Sequence, residues 1–197
     1  ENCLCGAKTY KEINTSTNKE DAVRRCIKGY ECNFTAKEKL KHIVSKEAFN
    51  IEGLGKKVID QFWELNLVRK PSDIFLLDYN KISILEGWGS LSIKNLRKAI
   101  DDAKTITLNR FIYSIGIRHI GQENAKILSG FFSSIKKFSD LYEKNKRKNI
   151  LKNLIDLDGI GETQIKSIEG FFSNPKNIEV IDSLVKVLKI ENFKLAN

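Results

Sequence analysis

The sequence predicts a mainly α fold: a small cysteine-bearing segment at residues 1–35, a compact helical region at residues 36–190 and a short tail at residues 191–197. Three observations predict it. All four cysteines fall between Cys3 and Cys32. From residue 36 onward apolar residues recur with helical period, and almost nothing alternates with period two. A short glycine-paired turn recurs four times, each time at the start of a helical stretch.

The bulk properties are compatible with this reading. A chain of 197 residues is enough for one large domain or two small ones, and 41% hydrophobic residues support a packed core. The net charge of +9 and pI near 9.3 favour a polyanionic partner such as nucleic acid. No apolar run reaches the length of a membrane span, and no apolar signal segment opens the chain. Met is absent even at position 1, so the chain is expected to be cut from a longer protein. The two prolines lie outside the apolar runs and leave the long helices uninterrupted.

In chain order, the first element is the cysteine segment: Cys3-Leu4-Cys5, then Cys26, then Cys32. A secreted disulfide scaffold would spread its bridges over the whole fold. Clustering in one short segment points to a local metal site in a reducing compartment. Four thiolates suit tetrahedral zinc, which would stabilise a piece too small to fold on its own core. The polar stretch "INTSTNKED" (13–21) reads as a loop or hairpin tip between two ligand pairs. His42 and His119 are too isolated to be preferred ligands.

Helical periodicity then marks residues 36–48, 56–66, 72–77, 90–103, 107–114, 122–132, 135–143, 147–154, 162–172 and 176–188. The repeated turn stands among them as "NIEGLGKKVIDQF" from Asn50, "ILEGWGSLSIKNL" from Ile84, "GIRHIGQENAKIL" from Gly116 and "DLDGIGETQIKSI" from Asp156. Each places an apolar residue between two tight-turn positions ahead of a helix. In the third copy His119 takes the place of the first glycine. The four stretches hold eight of the twelve glycines, and they predict four helix-hairpin-helix units with tips near 53–55, 87–89, 119–121 and 159–161.

Such a turn has a physical use. Glycine accepts positive φ and has no Cβ to block a ligand. The N–H groups of the turn and of the next helix's first turn point one way and can receive a phosphate oxygen. The middle residue (Leu54, Trp88, Ile120 or Ile160) anchors the hairpin in the core. A single copy would read equally well as a tight helix connection, but four in register in a basic chain favour phosphate binding. A nucleotide loop is excluded, since no Gly-x-Gly-x-x-Gly follows a strand.

Basic residues past the turns add charge: Lys56, Lys57, Lys94, Arg97, Lys98, Arg118, Lys126 and Lys166. Arg118 stands out, because its planar fork can reach two phosphate oxygens from the hairpin tip. The expected contact set is Gly53, Leu54, Gly55, Lys56 and Lys57 in the first hairpin and Gly87, Gly89, Ser90 and Lys94 in the second. The third supplies Arg118, His119, Gly121 and Gln122, and the fourth Gly159, Gly161 and Thr163. Glu162 makes the fourth turn the poorest phosphate neighbour, or one that only pairs with another turn. No nucleophile, general base or nucleotide-activating lysine motif is present, so no catalytic residue is assigned.

These stretches resemble the zinc-finger and helix-hairpin-helix region in the C-terminal half of bacterial NAD-dependent DNA ligases. The resemblance rests on "LKHIVSKEAFNIEGLGKKVIDQF", "LEGWGSLSIKNLRKAIDDAK", "RFIYSIGIRHIG" and "LDGIGETQIKSI", and runs from residue 3 to about 190. It implies that the whole enzyme, with NAD and Mg2+, adenylates its own lysine, transfers AMP to the 5′-phosphate at a nick and seals it in replication and repair. Those steps would belong to adenylation and OB domains outside this chain, so the fragment alone is expected to be inactive. It would grip nicked duplex DNA by its backbone, mainly from the minor-groove side and without sequence preference. A monomer in the bacterial cytoplasm, at the nucleoid, is expected, with no membrane partner. Zinc on Cys3, Cys5, Cys26 and Cys32 would make the finger a structural bridge.

One departure stands out. The family's first ligand pair is Cys-x-x-Cys, whereas this chain has Cys3-x-Cys5. Either one residue is deleted, or Asn2 marks a lost ligand and Cys3 is its neighbour. The loop between the second and third cysteines is also long for the family. Abundant Lys, Asn and Ile suggest an AT-rich genome. A helix-hairpin-helix module of another repair protein, such as an excision nuclease, would not carry the cysteine cluster. A helical protein-interaction scaffold would not bind DNA in a salt-dependent way.

Overall fold

A computed structural model describes residues 1–14 and 17–194. It opens with an antiparallel hairpin of β1 (Thr9–Asn14) and β2 (Lys19–Cys26), in which Thr9 faces Cys26, Tyr10 faces Arg25 and Lys11 faces Arg24. The stretch expected as a loop or hairpin tip does lie in a hairpin, whose strands reach further into it than expected: Ile13 and Asn14 end β1, and Lys19 to Asp21 begin β2. Thr15 and Ser16, in the expected tip, lie outside the described residues. The physical reason is that this hairpin has no buried face. Among the described residues before Cys32 none is buried, so there is no apolar alternation to read.

Ten helices follow among the described residues: α1 (Asn33–Ile43), α2 (Lys56–Glu64), α3 (Tyr79–Ser83), α4 (Ser90–Ala103), α5 (Leu108–Ser114), α6 (Gln122–Phe132), α7 (Ile135–Phe138), α8 (Lys144–Leu154), α9 (Glu162–Phe172) and α10 (Pro175–Val185). The expected helix at 72–77 is a 3-10 turn, Pro71–Leu76, and the expected helix at 135–143 is α7 followed by a 3-10 turn at Ser139–Tyr142. Local capping explains the first. Asp73 accepts from the N–H groups of Arg69 and Lys70 at 2.9 and 3.0 Å, tightening the entry behind Pro71. Helix α3 was not foreseen; Asp78 caps it by accepting from the N–H of Asn80 at 3.1 Å.

Two short strands also escaped the periodicity. β3 (Thr105–Thr107) pairs in parallel with β4 (Lys189–Glu191), Ile106 opposite Ile190. Three residues are too few to show alternation. Beyond β4, the N–H of Phe193 donates to the carbonyl of Ser133 at 2.9 Å, which sets Phe193 against the end of α6. Residues 195–197 lie outside the described residues.

One continuous apolar core runs from Leu40 to Leu184, with Phe62, Phe111, Phe138 and Phe172 fully buried. Phe138 meets Phe132 and Phe172 edge-on at 5.1 and 5.6 Å, an arrangement favoured by the ring quadrupoles. Arg147 is buried beside them. Its fork donates to the carbonyls of Leu141, Tyr142 and Phe172 at 2.9, 3.4 and 3.1 Å and to the Ser173 hydroxyl at 3.3 Å, and its Nε meets Glu169 at 3.2 Å. No helix among the described residues is long and apolar enough to cross a membrane.

Candidate nucleic-acid interface and cysteine cluster

The four turns share one construction. The N–H of the middle apolar residue donates to the carbonyl three residues back: Leu54 to Ile51 at 3.2 Å, Trp88 to Leu85 at 3.2 Å, Ile120 to Ile117 at 3.1 Å and Ile160 to Leu157 at 3.0 Å. The residue before it is left-handed, with φ of 83° at Gly53, 85° at Gly87, 59° at His119 and 87° at Gly159. His119 thus stands in the conformation that favours glycine. Its Nε2 is 2.9 Å from Nε of Arg118, which donates to it.

The second glycine of each turn, Gly55, Gly89, Gly121 or Gly161, has extended φ and is the N-cap of the following helix. Its carbonyl accepts from Ile59, Ile93, Ala125 or Ile165 at 2.9–3.1 Å. The next N–H groups, those of α2, α4, α6 and α9, have no intrahelical acceptor and carry the positive end of the helix dipole. Positive φ is therefore not what places glycine at 55, 89 and 121. A Cβ at these three would meet nothing within 4 Å, so the face is open for close approach.

The other expected residues divide by position. Lys56, Lys57, Ser90, Lys94, Gln122 and Lys126 are exposed beside their turns. Leu54 is 1% exposed and its N–H is already bonded, so it anchors the hairpin and offers a ligand no contact. Arg97 lies over the ring of Tyr79 at 4.5 Å, Lys98 pairs with Asp102 at 2.5 Å and Lys166 is 3.9 Å from Glu162.

The hairpins pair. The first leans on the second: Trp88 donates to Gln61 at 3.3 Å and its ring lies tilted beside that of Phe62, 5.5 Å between centres. The third and fourth are joined by two amides that sequence reasoning missed. Asn124 accepts from the N–H of Gly121 at 3.3 Å and donates to the carbonyl of Gly159 at 2.8 Å. Gln164 accepts from the N–H of Gly161 at 3.1 Å and donates to the carbonyl of His119 at 3.5 Å. Their spacing, three residues past a helix-capping glycine, was a readable signal.

Arg118 does not project freely. Its Nη1 pairs with Glu12, and its Nη2 lies 2.6 Å from Asp21. The N–H of Val23 and the Arg118 guanidinium hold the Asp21 carboxyl below the usual carboxylate range against the effect of burial. Neither acid could be singled out in the sequence. Arg118, His119, Thr163 and Lys166 line, with Lys39 and the β-hairpin, one open cleft of 790 Å³. Burial lowers Lys39 to about 8; its ammonium lies 5.9 Å from the centre of the Phe171 ring. The first two hairpins do not reach this cleft. His42 has a structural part, its Nε2 lying 2.9 Å from the carbonyl oxygen of Tyr113.

The cysteines converge. The Sγ atoms of Cys3, Cys5, Cys26 and Cys32 lie within 4.8 Å of one another, with Cys3 and Cys32 at 3.7 Å and Cys5 and Cys26 at 3.5 Å. Four sulfurs on a zinc ion at its usual bond length would stand about 3.8 Å apart, so the set fits a tetrahedral metal. The short spacing is absorbed by a tight turn, in which the N–H of Gly6 donates to Cys3 at 2.8 Å and Gly6 takes φ 82°. Cys3 is a member of the cluster, and Asn2 instead bridges to Lys8. Burial would raise the Cys32 thiol, but the N–H and hydroxyl of Thr35, with Cys5 and Cys3, bring it down to about 6. It caps α1, where the helix dipole also favours a thiolate. At Cys26 the N–H of Lys28 favours the thiolate, but burial and the three other thiols push it up to about 12.

Comparison with known proteins agrees with this geometry. Residues 110–181, the third and fourth hairpins, match the family described as the helix-hairpin-helix motif. The chain is 53% identical over 194 residues, 98% of its length, to a protein named DNA ligase from Pelagibacter ubique. It is 39% identical over 91% of its length to one from Parvibaculum lavamentivorans and 40% identical over 89% to one from Rickettsia bellii. The chain spans 26–28% of the length of these relatives. Over nearly its whole length it is thus similar to one segment of the DNA ligases, with a four-cysteine cluster at its start and the helix-hairpin-helix motif in its second half.

Proposed function

We propose that this chain is the DNA-binding, C-terminal portion of an NAD-dependent DNA ligase, gripping the duplex backbone around a nick. The observation that carries the reading is the common build of the four turns, each presenting open helix N–H groups beside a capping glycine. The contacts would come from Gly53, Gly55, Lys56 and Lys57; Gly87, Gly89, Ser90 and Lys94; Arg118, His119, Gly121 and Gln122; and Gly159, Gly161 and Thr163. They face phosphate and sugar, which carry no base identity, so binding is independent of sequence. Zinc on the four cysteines holds the finger. Adenylation with NAD and Mg2+ belongs to the rest of the protein, and this segment alone seals nothing. It works as a monomer in the bacterial cytoplasm, at the nucleoid.

The test is a fluorescence titration of nicked and intact duplex at several salt concentrations. With about six phosphates neutralised, log affinity should fall against log salt with a slope of about −5. Arg118→Ala should make the slope shallower by about one. Gly121→Val should fold, since φ and space both allow it, yet weaken binding about tenfold by blocking the approach. Binding that is flat in salt and indifferent to both substitutions would leave a helical scaffold as the better reading.

A further inference from the structure

Arg118 is the residue best suited to hold a phosphate, yet both ends of its fork already lie against carboxylates. Nη1 pairs with Glu12 on β1 and Nη2 with Asp21 on β2 at 2.6 Å. One carboxylate on each nitrogen is the arrangement that two oxygens of a single phosphate would take on the same fork. The Arg118 side chain is 24% exposed, and the hairpin acids stand on the fork nitrogens that a phosphate would use. A phosphate and two carboxylates cannot share one guanidinium, because like charges at such distances repel strongly.

The two acids have somewhere to go. Arg25, opposite Tyr10 in the same hairpin, stands 3.4 Å from Asp21 and 3.8 Å from Glu12. When Arg118 leaves, both carboxylates keep this partner. The cleft behind Arg118 holds Lys39, Thr163 and Lys166, further groups that a phosphate would meet once the hairpin moves.

We propose that the finger hairpin is a built-in phosphate mimic: Glu12 and Asp21 occupy Arg118 when DNA is absent, and duplex binding displaces them. Two states exclude each other, one with hairpin and Arg118 closed, the other with Arg118 on the backbone. Closure lowers the affinity for DNA and withholds the third hairpin from weak polyanions that cannot open it. This rests on the DNA-binding reading above and adds to it a competition within the chain.

A double-mutant cycle on the whole chain, with its metal, tests it using the nicked-duplex titration. The Glu12→Gln/Asp21→Asn variant should bind about three- to tenfold more tightly than wild type, as expected for the loss of two partly exposed ion pairs. In an Arg118→Ala background the same two substitutions should give no gain. Unchanged or weaker binding by the variant in the Arg118 background would overturn the competition and make the acids positioners of Arg118. A gain that persists without Arg118 would also overturn it, by showing that only overall charge matters. A wild-type chain that binds no duplex would sink the DNA-binding reading itself, and this inference with it.

Discussion

Asn124 and Gln164 are related by exchange: each closes the start of its own helix and binds the left-handed residue of the other's turn. Asn124 reaches the carbonyl of Gly159 at 2.8 Å, and Gln164 reaches that of His119 at 3.5 Å. Hairpins three and four are thereby held as a pair, the region that matches the helix-hairpin-helix family. Asn124→Ala should destabilise the chain by about 1 kcal/mol, the usual net worth of such bonds. Urea denaturation of the two single variants and the double one would check it. A coupling between them is expected because both act on one joint; purely additive effects would show that the hairpins do not depend on each other.

The third and fourth turns invite opposite substitutions. His119 has φ 59° and Gly159 has φ 87°. His119→Gly should relieve the left-handed penalty and stabilise by about 0.5–1 kcal/mol. Gly159→Ala should cost about 1–2 kcal/mol, chiefly from φ. Its Cβ would also meet Cδ1 of Ile127 at 2.7 Å, but that is the end of a side chain able to turn away. Thermal melts read both, and an equal loss at the two positions would contradict the assigned backbone.

Arg147 is 4% exposed and satisfies three backbone carbonyls. Arg147→Met keeps the apolar stem and removes every donor. The stranded carbonyls should cost about 3 kcal/mol or more. Glu169 is half-exposed and can rehydrate, so Glu169→Gln should be much milder. Denaturation midpoints for the two variants give the comparison; similar losses would mean that the ion pair, not the carbonyl bonds, is what matters.

Lys39 ties stability to pH. In the unfolded chain it keeps its proton to 10.5, whereas burial lowers it to about 8 in the fold. Between those values the unfolded chain binds more protons, so stability should rise with pH across that window. Below about 8 the full penalty of burying the charge is present. Lys39→Met should raise stability at neutral pH by about 1–2 kcal/mol, less than the full shift because the side chain is partly solvated, and flatten the alkaline rise. A variant with the same pH profile as wild type would show that Lys39 is not the group responsible.

The Cys3-x-Cys5 spacing has two readings, and they differ in whether Cys3 holds the metal. Zinc should bind at one per chain. Cys3→Ser should weaken its retention against a chromophoric chelator, and Asn2→Ala should not, since only Cys3 stands in the cluster. Chelation should loosen the finger hairpin, which has no buried residue of its own among those described, and leave the helical core folded. Equal retention in both variants would exclude Cys3 as a ligand.

The amino-acid sequence by itself determined what is local and periodic. Gly53, Gly87 and Gly159 could be read because only glycine sits easily at positive φ, and the helices after them because apolar residues recur on one face. The four-cysteine cluster was legible for a similar reason: few other uses exist for four thiols in so short a segment. Tertiary structure decided what depends on distant partners. That Asp21 and Glu12 meet Arg118, about a hundred residues away, could not be seen, since acids on a polar hairpin look alike in sequence. That Arg147 is buried was equally hidden, because its acceptors are backbone carbonyls, which every residue has. β3 and β4 exist only because the fold brings Ile106, between α4 and α5, beside Ile190 at the end of the helical region, and a three-residue pairing has no period of its own. Periodicity is a property of one segment, whereas a filled charge or a satisfied carbonyl is a property of two, and only the fold brings the second one near.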